Sequence, residues 1–359
     1  MSSLSTKWKT SLQGINSLHG LLLLSSFHYI VYAPSSDFTH KTTAISMSKS
    51  ILAVFGATGN QGNSTAHFVL DDPELSQRYT VRAISRDLSN PKMKDLELKG
   101  AELVQADLNE PCTLQAAVKD VEFLFFLTAT QLGGNTREIE NKQAKALCEN
   151  ALEAGVKYII YSSMSHPYEI SGGKLKNVEH FDDKAEIEQY IRSLPVKSAF
   201  FAPGSFMQNF LSPFMAPRPS PSNDGSFILA NCARGDTAIP FLDITDTGKW
   251  IGAILADPEN YEGKFLAAAE NLYTLDEACV IIEKVTGAVV KQQQLPDELF
   301  KQFLPEGLRD ALYEMWVLQR DYGYYGKGMK EQVQWAKEQA RGKPVGLEEF
   351  LRKNEFRLL

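Results

Sequence analysis

Little in this sequence points to a metal, a disulfide or a membrane. Its four cysteines, Cys112, Cys148, Cys232 and Cys279, lie far apart and form no CxxC pair. That spacing offers neither zinc ligands nor a disulfide framework, so no metal is expected and a reducing compartment is the default. Basic residues are outnumbered: 37 Lys and Arg against 44 Asp and Glu leave a net charge of −7. No basic run interrupts that balance, which argues against nucleic acid or an anionic membrane as the main partner. No stretch supplies the roughly 20 consecutive apolar residues of a membrane span. No internal repeat is evident. What is present is ordinary for a globular chain, with 43% hydrophobic and 23% charged residues. The length of 359 residues gives a soft expectation of two domains at about 150 residues each.

The first 50 residues lack arginine and hold one acid, Asp37, against Lys7, Lys9, Lys41 and Lys49. Lys7 and Lys9 precede Leu21–Leu24, but Ser25, Ser26 and His28 break the apolar run a secretory signal requires. A mitochondrial presequence is usually Arg-rich. The segment therefore reads as a disordered extension, or as a start site placed ahead of Met47. Targeting to an organelle or to secretion is the alternative. The expected location is cytoplasmic, or an organelle if residues 1–46 are a presequence.

From Ile51 onward the pattern is regular. Strands are expected at Ile51–Phe55, Tyr79–Ser85, Ala101–Ala106, Glu122–Thr128, Val156–Ser162 and Val196–Ala202. Helical stretches lie between them, including Arg137–Ala154 and Val178–Leu194. Such alternation predicts an α/β fold with a doubly wound parallel sheet covered on both faces. After the Pro- and Ser-rich stretch Pro213–Ser222, strand-like pieces at Ser226–Ala230 and Thr237–Phe241 mix with helices at Asp246–Leu255, Leu275–Thr286, Asp297–Tyr322 and Lys330–Ala340. The expected division is a leader at 1–49, a nucleotide-binding domain at 50–205 and a smaller, mostly helical C-terminal cap at 206–359.

The strongest local signal is Gly56-Ala57-Thr58-Gly59-Asn60-Gln61-Gly62. It follows a strand and opens a helix, the context that lifts a glycine motif above chance. Gly56 permits the tight turn, Gly59 admits a pyrophosphate, and Gly62 lets helix and strand approach. Free N–H groups at the helix start then meet the phosphates. The second strand ends Ile84-Ser85-Arg86, where an NAD enzyme usually carries Asp or Glu. Arg86 suits a 2′-phosphate, and Ser85 and Lys92 lie nearby in sequence, so NADP(H) is the expected cofactor. By position, Asp107 and Leu108 border the adenine. Leu127, Thr128 and Ala129 border the nicotinamide ribose. His180 and Lys184 share a helix face. A lysine there can hold the nicotinamide ribose, although from the spacing alone a solvated Lys beside a partly buried His is the better fit.

Together with Gly56–Gly62, Ser85-Arg86 and the Lys184 segment, the stretch Pro203-Gly204-Ser205-Phe206-Met207-Gln208-Asn209 resembles the NmrA-like family, an atypical branch of the short-chain dehydrogenase/reductases. Ile239-Pro240-Phe241-Leu242-Asp243, Asp246-Thr247-Gly248-Lys249-Trp250 and the closing Asn354–Leu359 fit it too. The resemblance spans about residues 50–359 and extends to fungal NmrA-like oxidoreductases and an NADPH-sensor type. It implies a Rossmann domain, a small C-terminal domain, and NADP(H) between them. It also implies that Gly56, Ala57, Thr58, Gly59, Asn60, Gln61 and Gly62 cradle phosphates and that Arg86 reads the 2′-phosphate. Lys184 then lies at the nicotinamide end, and Phe206, Met207, Gln208 and Asn209 line it. One departure stands out. The superfamily's usual pair is a Tyr four residues before a Lys, and here that position is His180.

Two functions follow as expectations. The first is an NADP(H)-dependent oxidoreductase that exchanges hydride with a small organic metabolite, such as one of a specialised pathway. Lys184 and His180 are its expected catalytic residues, Ser163 a possible helper in proton transfer, and Phe206, Met207 and Phe210 an apolar wall. The second is a non-catalytic redox sensor that binds NADP(H) and regulates a protein partner. Oligomeric state is not legible in the sequence.

Overall fold

The computed structural model describes residues 48–130 and 135–358; the expectations for residues 1–47 lie outside them. The first six strands are β1 (Ser50–Phe55), β2 (Tyr79–Ser85), β3 (Glu102–Gln105), β4 (Phe123–Phe126), β5 (Tyr158–Ser162) and β6 (Lys197–Pro203). With them run α1 (Asn60–Asp71), α2 (Leu75–Arg78), α3 (Pro91–Leu98), α4 (Leu114–Val118), α5 (Thr136–Glu153), α6 (Pro167–Ile170) and α7 (Glu179–Arg192). The C-terminal region adds β7 (Ser205–Phe206), β8 (Arg218–Pro219), β9 (Phe227–Asn231), β10 (Ala238–Leu242), β11 (Phe265–Ala268), β12 (Asn271–Thr274) and β13 (Val290–Gln294). Its helices are α8 (Thr247–Ala256), α9 (Leu275–Thr286), α10 (Asp297–Gln302), α11 (Arg309–Val317), α12 (Met329–Gln339) and α13 (Leu347–Lys353).

The main sheet has seven strands in the order β11-β6-β5-β4-β1-β2-β3, every pair parallel. Alternating residues send apolar groups to both faces. Leu52, Val54, Val81, Phe125, Ile160 and Phe201 pack with Ala66 and Val69 of α1 and Trp250 and Ile254 of α8. Ala53, Phe55, Leu124, Phe126, Ile159 and Phe200 pack with Leu147 of α5 and Ile187 and Ile191 of α7. Each large side chain so buried contributes about 1.5–3 kcal/mol. The order reverses between β4 and β1, and ligands of such sheets bind at that switch point. Glycine sets the closeness of the first face: a Cβ on Gly252 of α8 would lie 2.3 Å from Phe68 Cε1 of α1.

The C-terminal region is helical, and two three-stranded sheets, β12-β10-β7 and β13-β9-β8, run through it. Its own core gathers Phe210, Phe241, Leu275, Ile282, Trp316 and Phe350. The helix expected at Leu275–Thr286 has those bounds because both ends are fixed locally. Thr274 accepts from the Glu277 N–H, the Glu277 carboxylate accepts from the Thr274 N–H, and Gly287 closes the helix at φ +75°.

Two expectations are corrected. Asp297–Tyr322 is not one helix: α10 ends at Gln302, a 3₁₀ turn spans Glu306–Leu308, and α11 gives way to a wide π turn at Leu318–Tyr322. Pro305 stands at the break, where it has no N–H to donate. The seventh sheet strand, β11, lies in a stretch that carries no strand expectation, and it pairs with β6. The stretch 50–205 therefore does not hold the whole sheet, and Ser48–Leu359 form one compact unit. Among the described residues, no helix is long and apolar enough to cross a membrane.

Candidate functional site

The glycine turn leaves β1 at Gly56, whose φ of +70° is the left-handed region that glycine enters freely. The turn is pinned by the Gly59 N–H donating to the Gly56 carbonyl at 2.8 Å and the Ala57 N–H donating to Ile84 at 3.0 Å. Gly62 sits against it: a Cβ there would lie 2.3 Å from the Gly56 oxygen. Gly59 caps α1 with no side-chain hydrogen bond, and the first turn of α1 has no acid. The exposed start of that helix thus presents N–H groups and the positive end of its dipole, which is what a phosphate needs. The residues present fit a dinucleotide on that count.

At the end of β2, Arg86 is exposed, and its carbonyl accepts from Gln105 Nε2 at 2.9 Å. Lys92 reaches back so that its ammonium donates to the Thr58 carbonyl at 3.0 Å. One cation, Lys92, therefore stands at the turn, and Arg86 directly follows β2, the strand whose Ile84 carbonyl holds the turn. The nearest acid, Asp87, is engaged in its own loop by the Ser89 N–H at 2.8 Å and the Ser89 hydroxyl at 2.6 Å. Ser85 is buried and bonds within the same loop. Asp107 likewise accepts from the Asn109 N–H at 2.9 Å, and Leu108 packs against the sheet core.

Beyond β4, Leu127 lies over the turn, 3.5 Å from where a Gly56 Cβ would stand. Ala129 is exposed, while Thr128 is buried at the centre of a polar network. Lys184 of α7 donates to the Thr128 carbonyl at 3.0 Å, to its Oγ1 at 3.3 Å and to Glu140 Oε2 of α5 at 2.5 Å. The Thr128 hydroxyl donates to the same Glu140 oxygen, and the buried Tyr161 hydroxyl lies 3.2 Å from Thr128 Oγ1. Glu140 is fully buried and its Oε1 has no partner. Burial pulls the Lys184 pKa down, while the Glu140 carboxylate opposes that pull. His180, one turn earlier, packs its ring 4.7 Å from that of Phe181. Burial, aided by the charge of Lys184, brings His180 down to about 4, so it is neutral at pH 7. Asp183 is fully buried with both carboxylate oxygens unbonded. Burial raises it to about 7 against the pull of Arg137, whose Nε is 3.7 Å away.

Other elements close on the same place. Ser162 at the end of β5 donates to Gln61 Oε1 at 2.7 Å. Gln208 donates to Asp243 Oδ1 at 2.7 Å and accepts from the Ile244 N–H at 3.2 Å. Ser64 of α1 donates to the Thr245 carbonyl at 2.6 Å, which ties that segment to the phosphate helix. Phe206 and Asn209 are half-buried. Met207 and Phe210 are not an apolar wall: both are fully buried in the C-terminal core, because the 3₁₀ turn Met207–Leu211 puts residues three apart on one face. Ser163 is fully buried.

The structure therefore brings Gly56–Gly62, Arg86, Leu127–Ala129 and Lys184 to the switch point and withdraws Met207. It also adds Glu140 and Tyr161, which the sequence expectations omit. A signal for Glu140 existed. The buried side of α5 runs Thr136, Glu140, Gln143, Ala144, Leu147 and Ala151, so a glutamate sits inside a helical apolar stripe where a charge requires a partner.

Relatives and solved structures agree with this architecture. An NmrA-like family domain-containing protein of Dictyostelium discoideum is 30% identical over 254 residues, covering 69% of this chain and 80% of the relative. The NmrA-like family domain-containing oxidoreductase FrzB of a Cladobotryum species is 33% identical over 255 residues, covering 66% and 74%. Among solved structures, NmrA, a negative transcriptional regulator in complex with NADP, shares the fold with a TM-score of 0.68 at 22% identity, covering 85% of this chain and 95% of its own. Citrobacter triphenylmethane reductase complexed with NADP(H) gives 0.66 at 20% identity, covering 85% and 99%. The family model described as NmrA-like matches residues 48–351, and the chain belongs to the NmrA-like family.

Proposed function

We propose that the chain is an NADP(H)-dependent oxidoreductase acting on a small organic metabolite, with residues 206–359 supplying the cap over the substrate. One observation carries the reading: the helix start behind the glycine turn is uncapped and Lys92 bonds the turn, while Arg86 is exposed just past β2 and Asp87 is engaged in its own loop. That set suits a pyrophosphate and a 2′-phosphate and gives no carboxylate to a free 2′-hydroxyl. The bound dinucleotide would supply hydride at its nicotinamide. The oxidoreductase and reductase names of several relatives and structural neighbours support the same class.

Lys184 acts in this reading as a fixed hydrogen-bond donor rather than a free base. An ammonium held by a buried carboxylate is positioned to anchor a ribose hydroxyl or to stabilise charge on a substrate oxygen. His180, neutral near pH 7, replaces the usual tyrosine as a group that exchanges a proton without carrying charge in the resting state. Phe206, half-buried, is the apolar contact left to the substrate side, and Gln208 and Asn209 give it polar neighbours. A metabolite of a specialised pathway fits such a site.

The test is an NADPH-oxidation screen against carbonyl and enone compounds. Turnover that falls by about 100-fold or more in Lys184→Ala, with NADPH still bound, is the expected result. Turnover indifferent to Lys184 would remove it from the reaction. A second reading, a redox sensor, draws on the saturation of Lys184 by Thr128 and Glu140. It predicts no turnover in the screen and a protein partner captured with only one redox state of the dinucleotide.

A further inference from the structure

One side-chain bond ties the end of β5 to the start of α1. Ser162 Oγ donates to Gln61 Oε1 at 2.7 Å, across 101 residues of chain. Ser162 is buried and stands on a fixed frame. It is in register with Phe201 of β6, and the next N–H, that of Ser163, donates to the Phe201 carbonyl at 2.8 Å. Gln61 is half-buried in the first turn of α1, directly before Gly62.

The bond decides what Gln61 presents. With its oxygen held by Ser162, the carboxamide turns its nitrogen the other way. Among the described residues that nitrogen has no hydrogen-bond partner, and it is not one of the buried unpaired atoms. Two N–H bonds are thus left open to a ligand, beside a helix start that has no side-chain cap and no acid.

The place follows from the sheet order. β4 lies between β1 and β5, so a side chain that runs from α1, just after β1, to the last residue of β5 spans the carboxyl end of β4. Tyr161, the neighbour of Ser162, bonds into the Lys184 network through Thr128. Gln61 therefore stands between the phosphate turn and that network.

We propose that Ser162 is a positioning residue: it holds the Gln61 carboxamide so that its N–H pair binds the diphosphate of the dinucleotide on the nicotinamide side, an assignment that rests on the dinucleotide reading above. A free glutamine loses rotamer freedom when it binds a ligand. One held in advance does not, so the Ser162 hydroxyl adds affinity without touching the ligand. A hydrogen bond from an N–H to an anionic oxygen is of the stronger, charge-assisted kind.

Calorimetric titration of the full chain tests this with two probes, NADPH and adenosine 2′,5′-bisphosphate. The second keeps the 2′-phosphate and lacks the nicotinamide half. Ser162→Ala is expected to weaken NADPH about fivefold and to leave the bisphosphate unchanged. Gln61→Ala is expected to weaken NADPH about tenfold or more, and Ser162→Ala added to it should cost nothing further. A purely structural Ser162 would cost the same in both backgrounds. Gln61→Glu keeps an oxygen for Ser162 but replaces the N–H pair with a charge that phosphate repels, so the largest loss is expected there. An acid in the first turn suits the helix dipole, so this variant folds even if Ser162→Ala does not. NADPH affinity indifferent to Gln61→Glu, an equal cost of Ser162→Ala with and without Gln61, or an equal loss on the bisphosphate would overturn the proposal while leaving the dinucleotide reading in place. A parent chain that does not bind NADPH would overturn that reading and this inference with it.

Discussion

At the phosphate end of the switch point the working groups are backbone: the N–H groups at the start of α1, behind a turn that Gly56 bends and Gly62 keeps tight. At the α5–α7 end they are side chains: Thr128, Glu140, Tyr161 and Lys184, drawn from the segment after β4, from α5, from β5 and from α7. The two ends face opposite physical problems. A backbone site needs room, so its residues are small and consecutive. A buried side-chain site needs every charge answered, so its residues are scattered and each depends on the others. The first is robust to change in composition and intolerant of bulk; the second is the reverse.

The largest expected effect breaks the second end. Glu140→Ala leaves the Lys184 ammonium buried without its carboxylate, and removal of one partner from a buried pair costs about 3–5 kcal/mol. Urea denaturation should show that loss, with Glu140→Gln intermediate. Stability unchanged in Glu140→Ala would mean that the pair is not what holds α5 to α7. At the first end, Gly62→Ala drives a methyl into the Gly56 carbonyl 2.3 Å away. Strain of about 1–3 kcal/mol is expected, together with loss of nucleotide binding, read from NADPH fluorescence.

How much of this was legible follows the same line. Gly56, Gly59 and Gly62 stand at fixed spacing after a strand, so the phosphate turn could be read from seven residues, and Arg86 from its place just past β2. The six consecutive strands were legible from their place between helical stretches, most plainly β4 and β5, which are apolar runs buried along almost their whole length. The Lys184 network was half legible. Lys184 and Thr128 have positions relative to strand ends, but Glu140 joins them only through packing across 12 and 44 residues of chain, and Tyr161 reaches Thr128 across 33. Met207 was misplaced because an apolar residue beside a site and one beneath it look alike in sequence. β11 was hidden for a different reason: Phe265–Ala268 is four residues long and pairs with a strand more than 60 residues earlier.

A third prediction concerns Asp183, which belongs to the side-chain end and shows its cost. Its folded pKa of about 7 exceeds the ordinary 3.8. The folded state therefore holds the proton more tightly, and stability falls as pH rises from about 4 through about 7. Asp183→Asn removes that penalty. It should be more stable than the parent chain by about 1–3 kcal/mol at pH 8 and nearly equal to it at pH 3, below both values, as thermal unfolding at the two pH values would show. His180 works in the opposite sense. Its folded value of about 4 lies below 6.5, so its contribution is lost as pH falls through that window. An Asp183→Asn gain that did not depend on pH would point to packing instead of ionisation.

The smallest structural effect carries the most functional weight. Arg86 is exposed and forms no buried pair, so Arg86→Ala should leave stability within about 0.5 kcal/mol of the parent chain. It should nonetheless erase the preference for the 2′-phosphate. The most direct measurement is therefore a pair of titrations, NADPH and NADH against the same protein, followed by nicotinamide fluorescence. The account predicts NADPH to bind at least about tenfold tighter, equivalent to about 1.4 kcal/mol, and Arg86→Ala to bring the two together. Equal affinities in the parent chain would contradict it.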